Sequence, residues 1–104
     1  MGRLVLFSKL KDGVDPAAYE EWVRTVDYPL TRAQPHITGY EVTRLKGALF
    51  SDSPDTKWDY AEVIDFTSLD EYNAGLGTDE MKQVFDGFGS FIGEFECVHG
   101  ESVG

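Results

Sequence analysis

Cysteine and histidine are both scarce in this sequence, which has Cys97, His36 and His99 and no others. A single cysteine excludes an internal disulfide, so a reducing, cytoplasmic location is the default expectation. The two histidines show neither a zinc-ligand nor a facial-triad spacing, and the sequence predicts no metal site. Cys97 lies in the apolar run 95–98, where we expect a small buried core residue rather than a nucleophile.

Positive charge is also scarce: 9 Lys and Arg residues stand against 19 Asp and Glu residues, for a formal net charge of -10. Such a surface repels phosphate backbones and anionic lipids, which argues against nucleic acid and membrane as partners. The first apolar run, 4–7, is too short to cross a bilayer or to form a secretion signal. We expect nothing to export or anchor the chain.

Nucleotide and hydrolase motifs are missing as well. Gly87, Gly89 and Gly93 do not have the dinucleotide-binding spacing, and they follow a helical pattern where that motif requires a strand. No Gly-x-Ser-x-Gly elbow is present, so the Ser-His-Asp hydrolase design is not indicated. The sequence therefore predicts no bound cofactor.

What the sequence does have is the composition of a folded domain. Hydrophobic residues make up 41% of the 104 residues and aromatic residues 13%, enough for one core but not for two. Apolar and polar residues alternate along four segments, which predicts strands over 3–10, 37–45, 58–66 and 92–99. We expect one domain spanning 1–104.

A first helix is predicted between the first two strands. Asp15 can cap it, and Pro16 suits its first turn, where no amide donor is missed. Pro29 is expected to limit the helix, because the residue before a proline avoids the helical region. A loop over 30–35 is then expected to lead into the second strand.

Further helices are predicted after the third strand. Ser68 and Glu71 form a capping-box pattern at the start of a short helix over 69–75. Thr78 can cap the next helix, in which apolar residues recur at helical spacing. Gly87 and Gly89 weaken that pattern near its end.

The order strand, helix, strand, strand, helix, strand predicts an α+β fold of the ferredoxin-like βαββαβ type, with a four-stranded antiparallel sheet and both helices on one face. The alternation leaves four apolar residues on the opposite face of the two central strands: Val5, Phe7, Ala61 and Val63. An uncovered apolar patch of this kind marks an interface. We therefore expect a homodimer in which two such sheets form a dimeric α/β barrel.

The sheet face that turns toward the helices is predicted to be polar for a core. It carries six polar side chains: Ser8, Tyr40, Arg44, Tyr60, Glu62 and His99. Either these side chains satisfy one another, with Arg44 and Glu62 as an ion pair and His99 at a strand end, or they line a pocket. In the second case four aromatic residues from the helices form the wall: Tyr19, Trp22, Phe85 and Phe88. Such a pocket suits a flat aromatic ligand that is uncharged or cationic.

Proton transfer is the chemistry that these residue types allow. Histidine is the natural proton shuttle near neutral pH, which makes His36 and His99 candidates. Glu62 or Asp27 would be the partner carboxyl, since burial raises the pKa of such a group. His36 follows Pro35 in a predicted loop, so a solvent-exposed histidine is the alternative there.

Four segments carry a family resemblance: the opening RLVLF at 3–7, DYPL at 27–30, PHITGY at 35–40 and YAEV at 60–63. They are similar to the RedY-like proteins of the HapK family, and the resemblance covers nearly the whole chain. It implies the dimeric α/β-barrel superfamily. It also implies a place in bacterial secondary metabolism, in pathways to prodigiosin-type tripyrrole pigments and bisindole compounds, around the bipyrrole half of the pigment.

The stretch 27–40 is also similar to the EthD-like branch of that superfamily. In that branch a His-x-Pro is followed by a Pro-Gly before the second strand. This chain departs from the pattern at two places, since Asp27 stands at the histidine position and three residues, 36–38, separate Pro35 from Gly39. The similarity therefore implies a shared fold rather than shared chemistry.

The resemblance implies a biosynthetic pigment-pathway protein that acts on, or holds, a pyrrole-type intermediate without metal, nucleotide or haem. An enzyme of this kind would use His99, Glu62 and Tyr60 for proton transfer at the ring or at its aldehyde or alcohol substituent. The ligand-binding candidates are Trp22, Asp27, His36, Tyr40, Arg44, Phe85 and Phe88. Two alternatives stay open: a non-catalytic accessory dimer that carries the intermediate or binds another pathway enzyme, and a cofactor-independent monooxygenase.

Overall fold

A computed structural model describes residues 1–104 and has the predicted α+β architecture. Its four strands are β1 (Gly2–Leu10), β2 (Ile37–Arg44), β3 (Tyr60–Phe66) and β4 (Ile92–Glu101). They form one antiparallel sheet in the order β2-β3-β1-β4, so β1 and β3 are central and β2 and β4 are the edges. The helices are α1 (Pro16–Trp22), α2 (Tyr28–Arg32), α3 (Leu69–Gly75) and α4 (Asp79–Phe91). None of them has the length and hydropathy needed to span a membrane.

The first helix does not end before Pro29, and this is where the prediction was wrong. A π-helical segment, Val23–Asp27, follows α1, and the chain then continues as α2 to Arg32. Pro29 lies in the first turn of α2, where a missing backbone donor is tolerated. The loop expected over 30–35 therefore begins only after Arg32. The wider π turn rotates Asp27 into the interior, where it is 2% exposed.

The later helices start where their caps predict. The hydroxyl of Ser68 accepts a hydrogen bond from the Glu71 amide at 3.1 Å. The hydroxyl of Thr78 likewise accepts from the Met81 amide at 3.2 Å. Helix α4 continues through both of its glycines to Phe91 and passes directly into β4 without a loop. Strand β3 is shorter than predicted, beginning at Tyr60 rather than at Trp58, and β4 extends beyond His99 to Glu101.

The helices cover one face of the sheet. Three register pairs between β1 and β3 lie on that face: Leu4 with Ile64, Leu6 with Glu62, and Ser8 with Tyr60. Two clusters of buried apolar residues fill the space beneath the helices, one around Phe66 and Tyr72 and one around Tyr19 and Tyr60. The candidate site lies on this face.

The opposite face has no covering layer within the chain. Val5 pairs with Val63 and Phe7 with Ala61 on that face, and all four are only half-buried. Val98 extends the apolar surface onto β4 and is 53% exposed. This is the apolar patch that the strand alternation predicts.

Gly87 offers a test of the packing between α1 and α4. A Cβ atom at this position would overlap the indole ring of Trp22. We expect Gly87→Ala to lower the free energy of unfolding by about 1–3 kcal/mol, because over-packing forces neighbouring side chains out of their minima. Thermal unfolding followed by circular dichroism measures this. Gly77→Ala is the control, since a Cβ there meets nothing within 4 Å; equal melting temperatures for the two variants would contradict the packing.

Candidate functional site

A cavity of about 510 Å³ lies between the helix-covered face of the sheet and α4. Strands β1 and β3 contribute Leu4, Leu6 and Ile64 to its floor. Its apolar walls come from α3, the following turn and α4: Tyr72, Leu76, Met81, Val84, Phe85 and Phe88. Phe95 and Cys97 of the edge strand β4 also line it. The volume is in the range of sites for small organic molecules.

Two carboxyl groups reach this apolar cavity, and Asp27 is the first. Its Oδ1 accepts a hydrogen bond from the Thr31 hydroxyl at 2.9 Å, and its Oδ2 accepts one from the Tyr40 hydroxyl at 2.5 Å. Burial raises the pKa of Asp27, while the bonds from Tyr40 and Thr31 and the charge of Arg32 act in the opposite direction. Both Asp27 oxygens are therefore occupied by partners inside the protein.

Glu62 is the second carboxyl group, and it is 5% exposed. Its Oε1 accepts a hydrogen bond from the Tyr19 hydroxyl at 3.3 Å. Burial raises the pKa of Glu62 to about 8, and the nearby charge of Asp27 adds to the rise against the opposing effect of the Tyr19 and Tyr40 hydroxyls. Glu62 is therefore mostly protonated at neutral pH. It can donate a proton to a bound molecule or accept one from it.

Five of the residues singled out from the sequence line the cavity: Asp27, Tyr40, Glu62, Phe85 and Phe88. The apolar and acidic candidates thus come together. No group of three His, Cys, Asp or Glu side chains comes together in the chain in a way that could hold a metal ion.

The other five candidates lie elsewhere. Tyr60 is buried beside Tyr19, but its hydroxyl donates to Glu20 at 2.7 Å rather than facing the cavity. Arg44 also binds Glu20, at 2.8 and 2.6 Å, so the expected ion pair between Arg44 and Glu62 is wrong. Arg44 is the last residue of β2 and is exposed, whereas Glu62 is buried, so the guanidinium group pairs with Glu20 where it keeps contact with water.

Trp22 and the two histidines are also placed away from the cavity. Trp22 packs on Tyr19 and Phe91, behind the cavity wall, with ring centroids 6.0 and 5.7 Å apart. His36 is buried, and its ring meets Tyr72 edge-on at 5.9 Å, so the solvent-exposed alternative for His36 is wrong. His99 pairs with Leu4 but is exposed on the edge strand β4.

Three further residues contribute to the site in ways that the sequence did not predict. Tyr19 was expected only as an apolar wall, yet its hydroxyl binds Glu62. Thr31 was placed in a loop because of Pro29, although its four-residue spacing from Asp27 is a helical signal. Cys97 was expected in the buried core, but it is exposed and lines the cavity, because β4 is an edge strand that α4 only partly covers.

Comparison with known proteins adds a family and a fold. The family model described as REDY-like protein HapK matches residues 2–103. The crystal structure of HapK from Hahella chejuensis shares 26% identity with a TM-score of 0.83, over 100% of this chain and 94% of that one. No curated protein matches the sequence.

Two further solved structures show the same fold at lower identity. An EthD-family protein from Bacillus halodurans is 22% identical with a TM-score of 0.78, over 99% of both chains. A dimeric ferredoxin-like protein of unknown function from Thermobifida fusca is 19% identical with a TM-score of 0.74, over 94% of this chain and 87% of that one. These likenesses support the α+β ferredoxin-like fold.

The protonation of Glu62 predicts a pH dependence of stability. The folded protein keeps the Glu62 proton up to a pKa of about 8, whereas the unfolded chain loses it near the ordinary glutamate pKa of 4.5. The free energy of unfolding therefore falls as pH rises through this window and levels off above it. Between pH 6 and 9 we expect the free energy of unfolding of the wild type to fall by about 3 kcal/mol more than that of Glu62→Gln.

Urea unfolding at pH 6 and pH 9 measures this difference. Glu101→Gln, which changes an exposed carboxyl group at the end of β4, is the matched control and should keep the wild-type dependence. A Glu62→Gln variant with an unchanged pH dependence would show that Glu62 is ionised in the folded protein.

Proposed function

Because this chain belongs to the REDY-like HapK family, we propose that it binds a planar pyrrole-type intermediate of secondary metabolism in the cavity and moves a proton at it through Glu62. The observation that carries the proposal is the buried carboxyl group of Glu62, with its raised pKa, in a cavity whose walls are largely apolar. Apolar walls with a few convergent polar groups are typical of small-molecule sites. A group with a pKa near the working pH serves as both acid and base.

The chemistry proposed for Glu62 is a proton shift between two positions of the ligand. The carboxylic acid donates its proton to an oxygen or a ring carbon of the ligand, and the carboxylate that forms takes a proton from another position of the same ligand, so the ligand is isomerised and Glu62 regains its proton. The Tyr19 hydroxyl, 3.3 Å from Oε1, stabilises the carboxylate while it is charged. In this proposal Asp27 is a positioning residue, because its hydrogen bonds are made inside the protein and its charge acts on Glu62.

The acidity of the protein selects among ligands. The net charge is -10, and the cavity holds two carboxyl groups and no basic side chain. A carboxylate ligand is therefore disfavoured, whereas a neutral aldehyde or alcohol is not. Within the pigment pathways that the family resemblance implies, the proposed ligand is the aldehyde or alcohol form of a bipyrrole.

A non-catalytic carrier is the second candidate. It is favoured by the fact that Tyr40, Thr31 and Tyr19 are all bonded to the two carboxyl groups, which leaves few free polar groups for catalysis. A carrier would use the same cavity to hold the intermediate and deliver it to another pathway enzyme. The two candidates differ in turnover rather than in binding.

A titration with 2,2′-bipyrrole-5-carbaldehyde, the matching alcohol and the matching acid tests the proposal. Binding is followed through tryptophan fluorescence, and each mixture is assayed for product. We expect saturable binding of the aldehyde and alcohol, and at least tenfold weaker binding of the acid because of charge repulsion. Glu62→Gln should keep the affinity within a few fold but lower turnover by about 100-fold or more, the usual contribution of a general acid.

Each result has a clear meaning. Glu101→Gln, outside the cavity, should behave as the wild type in both assays. Binding without product from any of the ligands would favour the carrier. Absence of binding by all three compounds would contradict the proposed function, and product formation that survives in Glu62→Gln would contradict the role of Glu62.

We also propose that the uncovered sheet face binds the same face of a second copy. Val5, Phe7, Ala61 and Val63 form a half-buried apolar stripe there, with Val98 53% exposed beside it. An exposed apolar surface on a regular sheet is most simply covered by an identical sheet. The similar protein from Thermobifida fusca is described as dimeric.

A charged side chain on this sheet face should weaken the proposed dimer. In Val63→Glu the two new carboxylates would be buried near the symmetry axis, and like charges at an interface cost several kcal/mol, so we expect dimer affinity to fall by about 100-fold. Size-exclusion chromatography with light scattering measures the mass. Leu69→Glu, at an exposed leucine on α3, is the matched control. A dimer that persists in Val63→Glu at low micromolar concentration would place the interface elsewhere.

A further inference from the structure

The apolar face of α4 is interrupted at one position. Met81, Val84, Phe85 and Phe88 recur at helical spacing and all line the cavity. Position 89 continues this face, four residues after Phe85, and it also lines the cavity. The residue there is glycine, so the face lacks a side chain where one is expected.

The two glycines of α4 differ in what surrounds them. At Gly87 the Trp22 ring occupies the space of a side chain, so packing explains the residue. At Gly89 a Cβ atom would meet no atom within 4 Å. Gly89 also has no positive φ and lies two residues before the end of the helix, so it is not a C-terminal cap. Glycine inside a helix is destabilising relative to alanine, and nothing in the protein itself requires it at this position.

Gly89 is an exposed residue of the cavity lining. Phe85 beside it is 44% exposed, and Phe95 of β4, which also lines the cavity, is 57% exposed. The rings of Phe88 and Phe95 meet edge-on with centroids 5.6 Å apart. The two carboxyl groups of the lining are buried, whereas Phe85, Gly89 and Phe95 are exposed.

We propose that the cavity is entered between α4 and β4 across Gly89, and that the missing side chain leaves room for the rings of a planar aromatic ligand whose polar end reaches Glu62. This inference rests on the proposed function for the nature of the ligand. It adds the direction of binding, with the hydrogen-bonding group innermost and the ring system at the opening. It also makes Gly89 the residue that limits the size of the ligand.

Gly89→Ala and Gly89→Leu test the proposal through two measurements: the first variant should be more stable than the wild type, and the second should bind the ligand more weakly. Alanine should raise the melting temperature by about 4 °C, since it is the better helix former and meets no neighbour. Leucine should weaken binding of 2,2′-bipyrrole-5-carbaldehyde by about tenfold or more, because added methylene groups in an apolar site discriminate by that much. Ser90→Leu, one residue further on the exposed side of α4, controls for the added apolar side chain and should bind as the wild type.

A second readout does not depend on the pyrrole ligand. Cys97 lines the cavity and is the only cysteine, so its alkylation reports on access. Gly89→Leu should slow alkylation by the planar N-(1-pyrenyl)maleimide several-fold while leaving the small reagent iodoacetamide unaffected. Ser90→Leu should react as the wild type with both reagents.

These results separate the failure of this inference from that of the proposed function. If the wild type binds no bipyrrole but Gly89→Leu still slows pyrenylmaleimide selectively, the opening is supported and the proposed ligand is wrong. If Gly89→Leu neither weakens bipyrrole binding nor changes the ratio of the two alkylation rates, the opening lies elsewhere. A lower melting temperature for Gly89→Ala would show that the glycine is structural and would overturn the inference.

Discussion

The hydrogen bond from the Tyr40 hydroxyl to Asp27 is the contact on which the site depends. It joins β2 to the π-helical segment and gives a buried carboxylate the partner that burial demands. With Thr31 on its other oxygen, Asp27 is fixed at the edge of the cavity. Its charge then acts on Glu62 and helps to raise the pKa of that group. Burial is the larger cause of that rise, and the charge of Asp27, held in place by Tyr40 and Thr31, adds to it.

The fold could be predicted from the sequence because its signals are local. The central strands alternate between two apolar faces, and that alternation places Leu4 and Ile64 under the helices and Val5 and Val63 on the open side. The caps at Ser68 and Thr78 satisfy the first amides of their helices whatever the tertiary packing. The strand ends were displaced by two residues at most, since pairing rather than side-chain pattern determines where a ladder stops.

The site could be predicted only in part, because it depends on which of several possible partners each polar group takes. Glu62 and Arg44 share a sheet face, yet Arg44 reaches Glu20 on α1 and leaves Glu62 to Tyr19. The burial of Glu62 and the exposure of Arg44 decide this choice, and both depend on how the helices pack, which no sequence spacing encodes. The π-helical segment was not predicted either. It allows the helix to continue past Pro29, a residue type that ordinarily ends a helix.

Alternation along the same strands separates the two proposed roles of the sheet. Leu6 and Glu62 face the cavity, while their chain neighbours Val5 and Val63 face the open side. The residues of this chain that line the cavity and those of the open face therefore lie on opposite sides of the same two strands. A side-chain change at Val63 on the open side leaves the side chains of the cavity side in place. If the proposed dimer forms, association on the open side would offset the buried acid and the helix glycine, which both lower stability on the cavity side, because binding between folded copies adds to the stability of the fold.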